Sequence, residues 1–558
     1  MERIATMKAK SGNRSLPAVF LLGGKGQLPK AGSVEEMGFK AFNLAVMAAA
    51  GLPVPQGFVL STRFCRDCDG SNGRPPVNLR EMLAEGIRHI ERESGLAFGG
   101  RRKPLLVSVR SGAAVSLPGM METVLDVGVN DEAVHAIVRA TGNPRLAWDC
   151  YRRLVQSFAE VVHDCAPTPF EARLERCLND CCAASPQEID SRTLAALTRD
   201  FLVLFEEQTG APFPQDPMVQ LEAATLAVLR SWRSEKASTY RKASGLDDAL
   251  GTAVTVQRMV FGNAGGTSGA GVAFTRDPST GENALYMDFL FNAQGEDVVS
   301  GRRSLQGEVP LPRLLPDVMD QLVRVAQVLE ARFLDTQEFE FTIEDGALYL
   351  LQTRTAKCTP WAALRIAVEQ VESGLIDAAQ GLARLENVNL DGIQEISFAR
   401  PQDVEVLAEA VSAGLSIATG RAVLDCETAT RWAAEGEDVI LVRGDPATSD
   451  IAGLVACKGI LTVVGGRTSH AAVVARQLGK VCLVGCADLS IDMSARRFRV
   501  AGRELAEGDW LCLDGYQGRV LAGRPEVVTR RPTEWLQRVQ GWKASRGEPI
   551  PAAVGEVA

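Results

Sequence analysis

The chain holds 558 residues and four histidines, His89, His135, His163 and His470. The first three sit in stretches with helical amphipathic period and read as surface or packed residues. His470 lies in Gly-Gly-Arg-Thr-Ser-His-Ala-Ala (465–472), ahead of an apolar run that ends at Gly479. Thr468 or Ser469 can cap a helix there, and Gly479 can end it. That places His470 in the first helical turn, where unpaired N–H groups and the helix dipole favour an anion. The same field disfavours imidazolium and leaves a ring nitrogen free to attack. The chemistry on offer is a nucleophilic histidine beside an anion site; a packed structural histidine is the competing reading.

A second set of groups lies in Glu-Phe-Glu-Phe-Thr-Ile-Glu-Asp-Gly-Ala-Leu-Tyr-Leu-Leu-Gln-Thr-Arg (338–354). Alternation about Asp345-Gly346 predicts a hairpin, with Glu338 and Glu340 on one face and Phe339, Phe341 and Ile343 on the other. A two-residue loop pairs Glu340 with Leu351. A three-residue loop pairs Glu338 with Gln352 and Glu340 with Leu350. The second register puts Glu338, Glu340, Gln352 and Arg354 on one surface, suited to Mg²⁺ and to a nucleotide's phosphates. A solvated polar face is the alternative. The stretch 261–276 carries five glycines and then a β-run; it could cradle phosphate through backbone N–H groups or be a ligand-free Gly-rich hairpin. Lys40 precedes an Ala-rich helix and Arg110 ends a strand. Each is a surface cation or a neutraliser of polyphosphate charge.

The elements around these residues divide the chain. Residues 1–36 read as a poorly ordered lead-in and 37–355 as one region, helix-rich over about 140–245 and strand-rich over 250–355. Residues 356–400 read as a helical linker, 401–523 as a compact α/β domain and 524–558 as a fraying tail. At roughly 150 residues per domain the length suggests three or four domains or subdomains. Net charge is −9, with Lys and Arg scattered, so nucleic acid and anionic membrane are not expected partners. No run reaches the ~18–20 apolar residues of a membrane span. Thirteen cysteines without a metal-ligand pattern suit a reducing cytoplasm.

Together these blocks resemble pyruvate, phosphate dikinase and, more distantly, phosphoenolpyruvate synthase. The resemblance runs from about Met37 to Gly523. It includes Leu-Leu-Val-Ser-Val-Arg-Ser-Gly-Ala (105–113), Leu-Pro-Gly-Met-Met-Glu-Thr-Val (117–124), Thr-Gly-Asn-Pro-Arg (141–145), Tyr-Arg-Arg (151–153), Asn-Ala-Gln-Gly-Glu-Asp-Val-Val (292–299) and the His470 block. It implies an α/β and α+β multidomain chain: an ATP-grasp nucleotide-binding domain with a helical insertion, a linker and a swivelling α/β phosphohistidine domain. It further implies that ATP's β-phosphate ends on His470 and its γ-phosphate on inorganic phosphate, giving AMP and pyrophosphate. Lys40 and Arg110 then hold ATP, Glu338 and Glu340 hold Mg²⁺, and Gln352 and Arg354 complete the site.

Three departures stand out. The family's Gly-Gly-Lys-Gly is Gly-Phe-Lys-Ala (38–41) here, although a Gly-Gly-Lys-Gly occurs at 23–26. Glu338 replaces the usual Asp. Only 35 residues follow Gly523, too few for the family's (β/α)8 barrel, which needs ~200. The expectation is a half-enzyme, possible as a homodimer, that passes phosphate to a separate acceptor-domain protein. Pyruvate, an alcohol or a phenol could be the acceptor; a silent nucleotide-binding regulator is the non-enzymatic reading.

Overall fold

The computed structural model describes residues 19–23, 32–70, 78–114, 122–183, 185–243, 245–247, 250–295, 298, 311–400, 402, 404–414, 416–444, 451–466 and 470–545. Beyond Gly23, the Gly-Gly-Lys-Gly at 23–26 lies outside them, as do Thr468, Ser469 and most of the Leu-Pro-Gly-Met-Met block. The chain forms two compact units: Met1–Gly266 with Ile343–Thr353, and Thr267–Thr342 with Arg354–Ala558. This division crosses the stretch 37–355 that the sequence groups together. No helix among the described residues is long and apolar enough to cross a membrane.

The first unit is built on β1 (Val19–Leu22), α1 (Phe39–Ala49), β2 (Gly57–Leu60), β3 (Val107–Gly112), β4 (Thr123–Val127) and β5 (Ala253–Arg258). The strands make an antiparallel sheet in the order β1-β2-β5-β3-β4. The expected lead-in is therefore partly wrong: Val19, Phe20 and Leu22 are buried and pair with β2. Phe58, Val59, Leu60, Val107, Val109, Val254 and Val256 are all fully buried. Each such side chain contributes roughly 1.5–3 kcal/mol. Helices α2 (Pro144–His163) and α3 (Ser191–Thr209) pack nearby, as the helix-rich reading of 140–245 expects. The Thr-Gly-Asn-Pro-Arg block is a helix stop followed by a start. Gly142 is left-handed at the end of one helix, and the Asn143 side chain accepts from Leu146 N–H at 3.0 Å to cap α2.

The Tyr-Arg-Arg block is also structural. Arg152 and Arg153 each donate to the buried Asp149 at 2.9 Å, and Tyr151 donates to Asp131 at 2.7 Å. Burial opposes ionisation of Asp149, yet the two guanidiniums hold its carboxyl far below the usual range. Asp126, fully buried on β4 with φ 59°, lies near the same cluster. Burial pushes its carboxyl up to about 7, with Arg153 opposing and the Asp149 charge reinforcing the shift.

The second unit holds β6 (Gly269–Phe274), β7 (Tyr286–Phe291), α4 (Pro316–Phe333), β8 (Gln337–Glu344) to Thr342, and the end of β9 (Ala347–Thr355). β6 and β7 are antiparallel, and Phe341 sits where a Cβ on Gly271 would collide with it. Gly271 thus makes room for an aromatic ring. The 18-residue α4 departs from the strand-rich reading of 250–355. Its buried Val318, Leu322, Val325, Ala326 and Leu329 recur at helical spacing. The linker is helical as expected, with α5 (Pro360–Glu372) and α6 (Ala378–Leu385).

The tail departs from the fraying expectation. Val527–Arg530 pairs with Glu395–Phe398, and α8 (Thr533–Ser545) packs on the linker through a Trp361–Trp535 contact at 5.1 Å and the buried Val539. Residues 406–522 hold an eight-stranded sheet. Its strands are β10 (Val406–Glu409), β11 (Val411–Gly414), β12 (Ile417–Val423), β13 (Val439–Arg443), β14 (Gly459–Thr462), β15 (Val481–Val484), β16 (Trp510–Asp514) and β17 (Arg519–Ala522). The order is β10-β17-β16-β12-β13-β14-β15-β11, with β12 to β15 parallel. Helix α7 (His470–Gln477) crosses between β14 and β15. Among the described residues the fold is mixed α/β with no closed barrel.

The raised Asp126 carboxyl sets a pH dependence. Below about pH 4 both folded and unfolded forms are protonated and the stabilisation is fully present. It is lost as pH rises toward and through 7, because the unfolded chain ionises more readily. At roughly 1.4 kcal/mol per unit, the effect is of the order of a few kcal/mol. Asp126→Asn, which tolerates the same left-handed backbone, should flatten the fall in melting temperature between pH 5 and 8. An unchanged slope would remove Asp126 as its source.

Candidate active site

Lys40 is the second residue of α1, and Arg110 lies on β3 opposite Thr123 of β4 and Thr255 of β5. Both side chains are half-buried. Gly38 precedes the helix with φ 74°, and a Cβ there would collide with the Gly112 carbonyl. Phe39 N–H donates to Ala113 C=O at 2.9 Å. The start of α1 is therefore seated on the end of β3, two residues beyond Arg110. Asn43 donates its amide to Thr353 C=O at 2.9 Å, and Leu350 N–H donates to Pro53 C=O at 2.8 Å. These bonds fasten α1 and the segment after it to β9. Lys40, Arg110 and Gln352 thus belong to one unit.

The hairpin closes through two residues, Asp345 at φ 48° and Gly346 at φ 79°. Positive φ at both positions is the two-residue type I′ pattern. The three-residue loop is not what forms. The far end is nevertheless one residue out of step with the turn, since Ala356 N–H donates to Thr336 C=O at 2.9 Å. One extra residue must sit in β9 between these points. Burial along β9 changes phase at Leu351–Gln352, which places this bulge there. The shift brings Arg354 opposite Glu338, and their Nη2 and Oε1 atoms lie 2.6 Å apart.

The Glu338 side chain is 10% exposed and that of Arg354 40%. Burial alone would weaken the guanidinium's hold on its proton, but Glu338, with Glu340 adding its charge, raises the Arg354 pKa overall. At the turn, Glu344 accepts from Phe261 N–H at 3.0 Å and from Arg258 at 3.2 Å. Burial pushes its carboxyl up, and Arg258 opposes this.

No group of three or more His, Cys, Asp and Glu able to hold a metal occurs among the described residues. The hairpin offers two carboxylates on alternate positions of one strand. That donor set fits a hard divalent cation whose remaining ligands are phosphate oxygens and water.

His470 is the first residue of α7. The helix ends at Gln477, and Gly479, φ 64°, turns the chain so that Lys480 N–H returns to Ala475 C=O at 2.8 Å. Ala472 and Ala475 are fully buried in the cluster that includes Cys482 and Val484. Gly485, which follows β15, has a steric role: a Cβ there would lie 2.8 Å from Gly465 C=O, so the two backbones pass in close contact. His470, Glu338, Glu340 and Arg354 all belong to the second unit.

Sequence reading missed Asn43, Gly112, Gly485, the Arg258–Glu344 pair and the bulge. Gly38 and Gly112 flank Lys40 and Arg110 closely enough to have signalled a close approach.

Two stretches of the chain match models of known families. Residues 71–307 match the model of the pyruvate phosphate dikinase AMP/ATP-binding domain. Residues 435–518, which contain His470, match that of the mobile domain of PEP-utilising enzymes. The chain is 41% identical over 509 residues to a pyruvate, phosphate dikinase of Clostridium symbiosum, covering 91% of this chain and 58% of that protein. It is 40% identical over 508 residues to the chloroplastic pyruvate, phosphate dikinase of Flaveria pringlei, covering 91% and 53%. With pyruvate, phosphate dikinase 2 of Zea mays it shares 40% identity over 514 residues, covering 92% and 58%. The two matches place the chain in the class of proteins that combine such an AMP/ATP-binding domain with the mobile domain of PEP-utilising enzymes. Within that class the chain belongs to the pyruvate, phosphate dikinase family. It spans little more than half the length of these relatives.

The Gly38–Gly112 contact gives a direct test. Gly38→Ala should destabilise the protein by roughly 2 kcal/mol or more, from the positive φ and the collision. Asn43→Ala should lose about 1 kcal/mol. Denaturant melts decide, and an unchanged midpoint for Gly38→Ala would rule out the seat of α1.

Proposed function

We propose that this chain transfers phosphate from ATP to His470, releasing AMP and then pyrophosphate. The observation that carries this reading is the coexistence, in one chain, of the Lys40–Arg110 pair, the Glu338–Arg354 hairpin face and a histidine that opens a helix in the part matched by the mobile-domain model. The architecture that suits it is an ATP-grasp nucleotide domain and a swivelling phosphohistidine domain.

The roles follow from charge and position. Lys40 and Arg110 neutralise the polyphosphate, and Gln352 donates its amide. Arg354 exchanges Glu338 for phosphate oxygens, which its planar fork matches. Glu338 and Glu340 would hold Mg²⁺, which supplies charge withdrawal on the bridging oxygens. A neutral His470 nitrogen attacks the β-phosphorus, the bond to the α-phosphate oxygen breaks, and AMP departs. Inorganic phosphate then attacks the terminal phosphorus and leaves as pyrophosphate, so phospho-His470 retains ATP's β-phosphorus. The helix N-terminus favours the added negative charge. We place the acceptor centre outside these residues, with pyruvate the first acceptor to test.

Incubation with β-labelled ATP, Mg²⁺ and phosphate should leave acid-labile, base-stable label on the protein, while γ-label leaves in pyrophosphate. Unlabelled wild type, or labelled His470→Ala, would sink the assignment. Glu340→Ala and Arg354→Ala should suppress labelling at least about tenfold, the scale of one lost charge-assisted contact; normal labelling in both would remove the hairpin from the site. Pyruvate should discharge the label only when the acceptor domain is added.

A further inference from the structure

Phe274 of β6 stands opposite Tyr286 of β7, and their rings meet edge to face at 6.0 Å. Both rings also reach the 406–522 domain within the second unit. The Arg476 guanidinium, in the last turn of α7, lies 5.4 Å from the Phe274 ring centroid, and the residue is 1% exposed. The Tyr286 hydroxyl donates to Ser412 C=O on β11 at 3.1 Å. Ser412 pairs with Leu483 of β15, the strand that follows α7. The two rings therefore hold the helix that begins at His470 and the strand pair beside it.

The same sheet end carries the carboxylates. Thr275, next after Phe274, donates its N–H to Gln337 C=O at 2.9 Å, and its hydroxyl accepts from Gln337 N–H at 3.0 Å. Glu338 follows directly. Arginine suits this position: it keeps its charge when buried and stacks its plane on a ring, where a buried lysine tends to lose its proton.

We propose that the Phe274–Tyr286 pair is the seat on which the His470 domain docks for phosphorylation, and that Arg476 is the positioning residue that grips it. This rests on the reading of His470 as phosphate acceptor. The contact includes a cation–π contact and a hydrogen bond at a sheet edge, each modest alone. A domain that must carry its histidine elsewhere needs such a seat, strong enough to align it and weak enough to let go.

Three variants of the whole chain test it: Phe274→Leu, which keeps apolar volume and removes the π face; Tyr286→Phe, which removes only the hydroxyl; and Arg476→Lys. Single-turnover labelling by β-labelled ATP should slow about tenfold in Phe274→Leu and Arg476→Lys and about threefold in Tyr286→Phe, within reach of one lost cation–π contact or hydrogen bond. Nucleotide affinity should not change. Without ATP, hydrogen exchange should rise in β11 and α7 while β12–β14 stay protected. Unchanged labelling and unchanged exchange in Tyr286→Phe and Phe274→Leu would overturn the seat. If the wild type takes no label, the phosphotransfer reading fails by itself, and the exchange measurement still decides whether the seat holds the domain.

Discussion

Glu338 and Arg354 impose the constraint on which the site depends. Only a tenth of the Glu338 side chain is exposed, a charge so placed needs a partner, and the Arg354 guanidinium 2.6 Å away supplies one. Removing the guanidinium takes that cation away from a largely buried carboxylate, which is destabilising. Exchange is a different matter. If a divalent ion takes the carboxylate while phosphate oxygens take the guanidinium, both charges stay compensated. On the proposed function, the hairpin holds its charges in a pairing that Mg–ATP would replace.

Placing those charges requires close backbone approaches. A single extra residue in β9 moves Arg354 from the wrong face to the one opposite Glu338. A glycine at 38 lets α1 sit on the end of β3, bringing Lys40's helix to Arg110's strand. A glycine at 485 lets the strand end that follows α7 pass close to the Gly465 carbonyl. At each place the chain gives up a side chain, or strict register, to fix where a charged group starts.

Much of this was legible in the sequence. The hairpin, the helix opened by His470, the linker helices and the α/β character of the last domain follow from period, capping residues and glycine stops. The bulge at Leu351–Gln352 was not legible, because a two-residue and a three-residue turn share the same Asp-Gly and period alone cannot place an inserted residue. Helix α4 was obscured by the strand runs around it. The strand at Val19–Leu22 and the helix at Thr533–Ser545 were read as loose ends, because their partners, Gly57–Leu60 and the helix bearing Trp361, are distant in sequence. The Tyr-Arg-Arg block carried family resemblance, yet its arginines brace Asp149 in the core: a motif can mark lineage without touching chemistry.

The central claim is that His470 receives a phosphate from ATP. Tandem mass spectrometry of protein incubated with ATP, Mg²⁺ and phosphate, digested under alkaline conditions that preserve phosphoramidates, reads this directly. The expected result is one added phosphate on the peptide spanning His470 and none in a His470→Asn protein. Phosphate on another residue, or an unmodified His470 peptide while AMP accumulates, would contradict it.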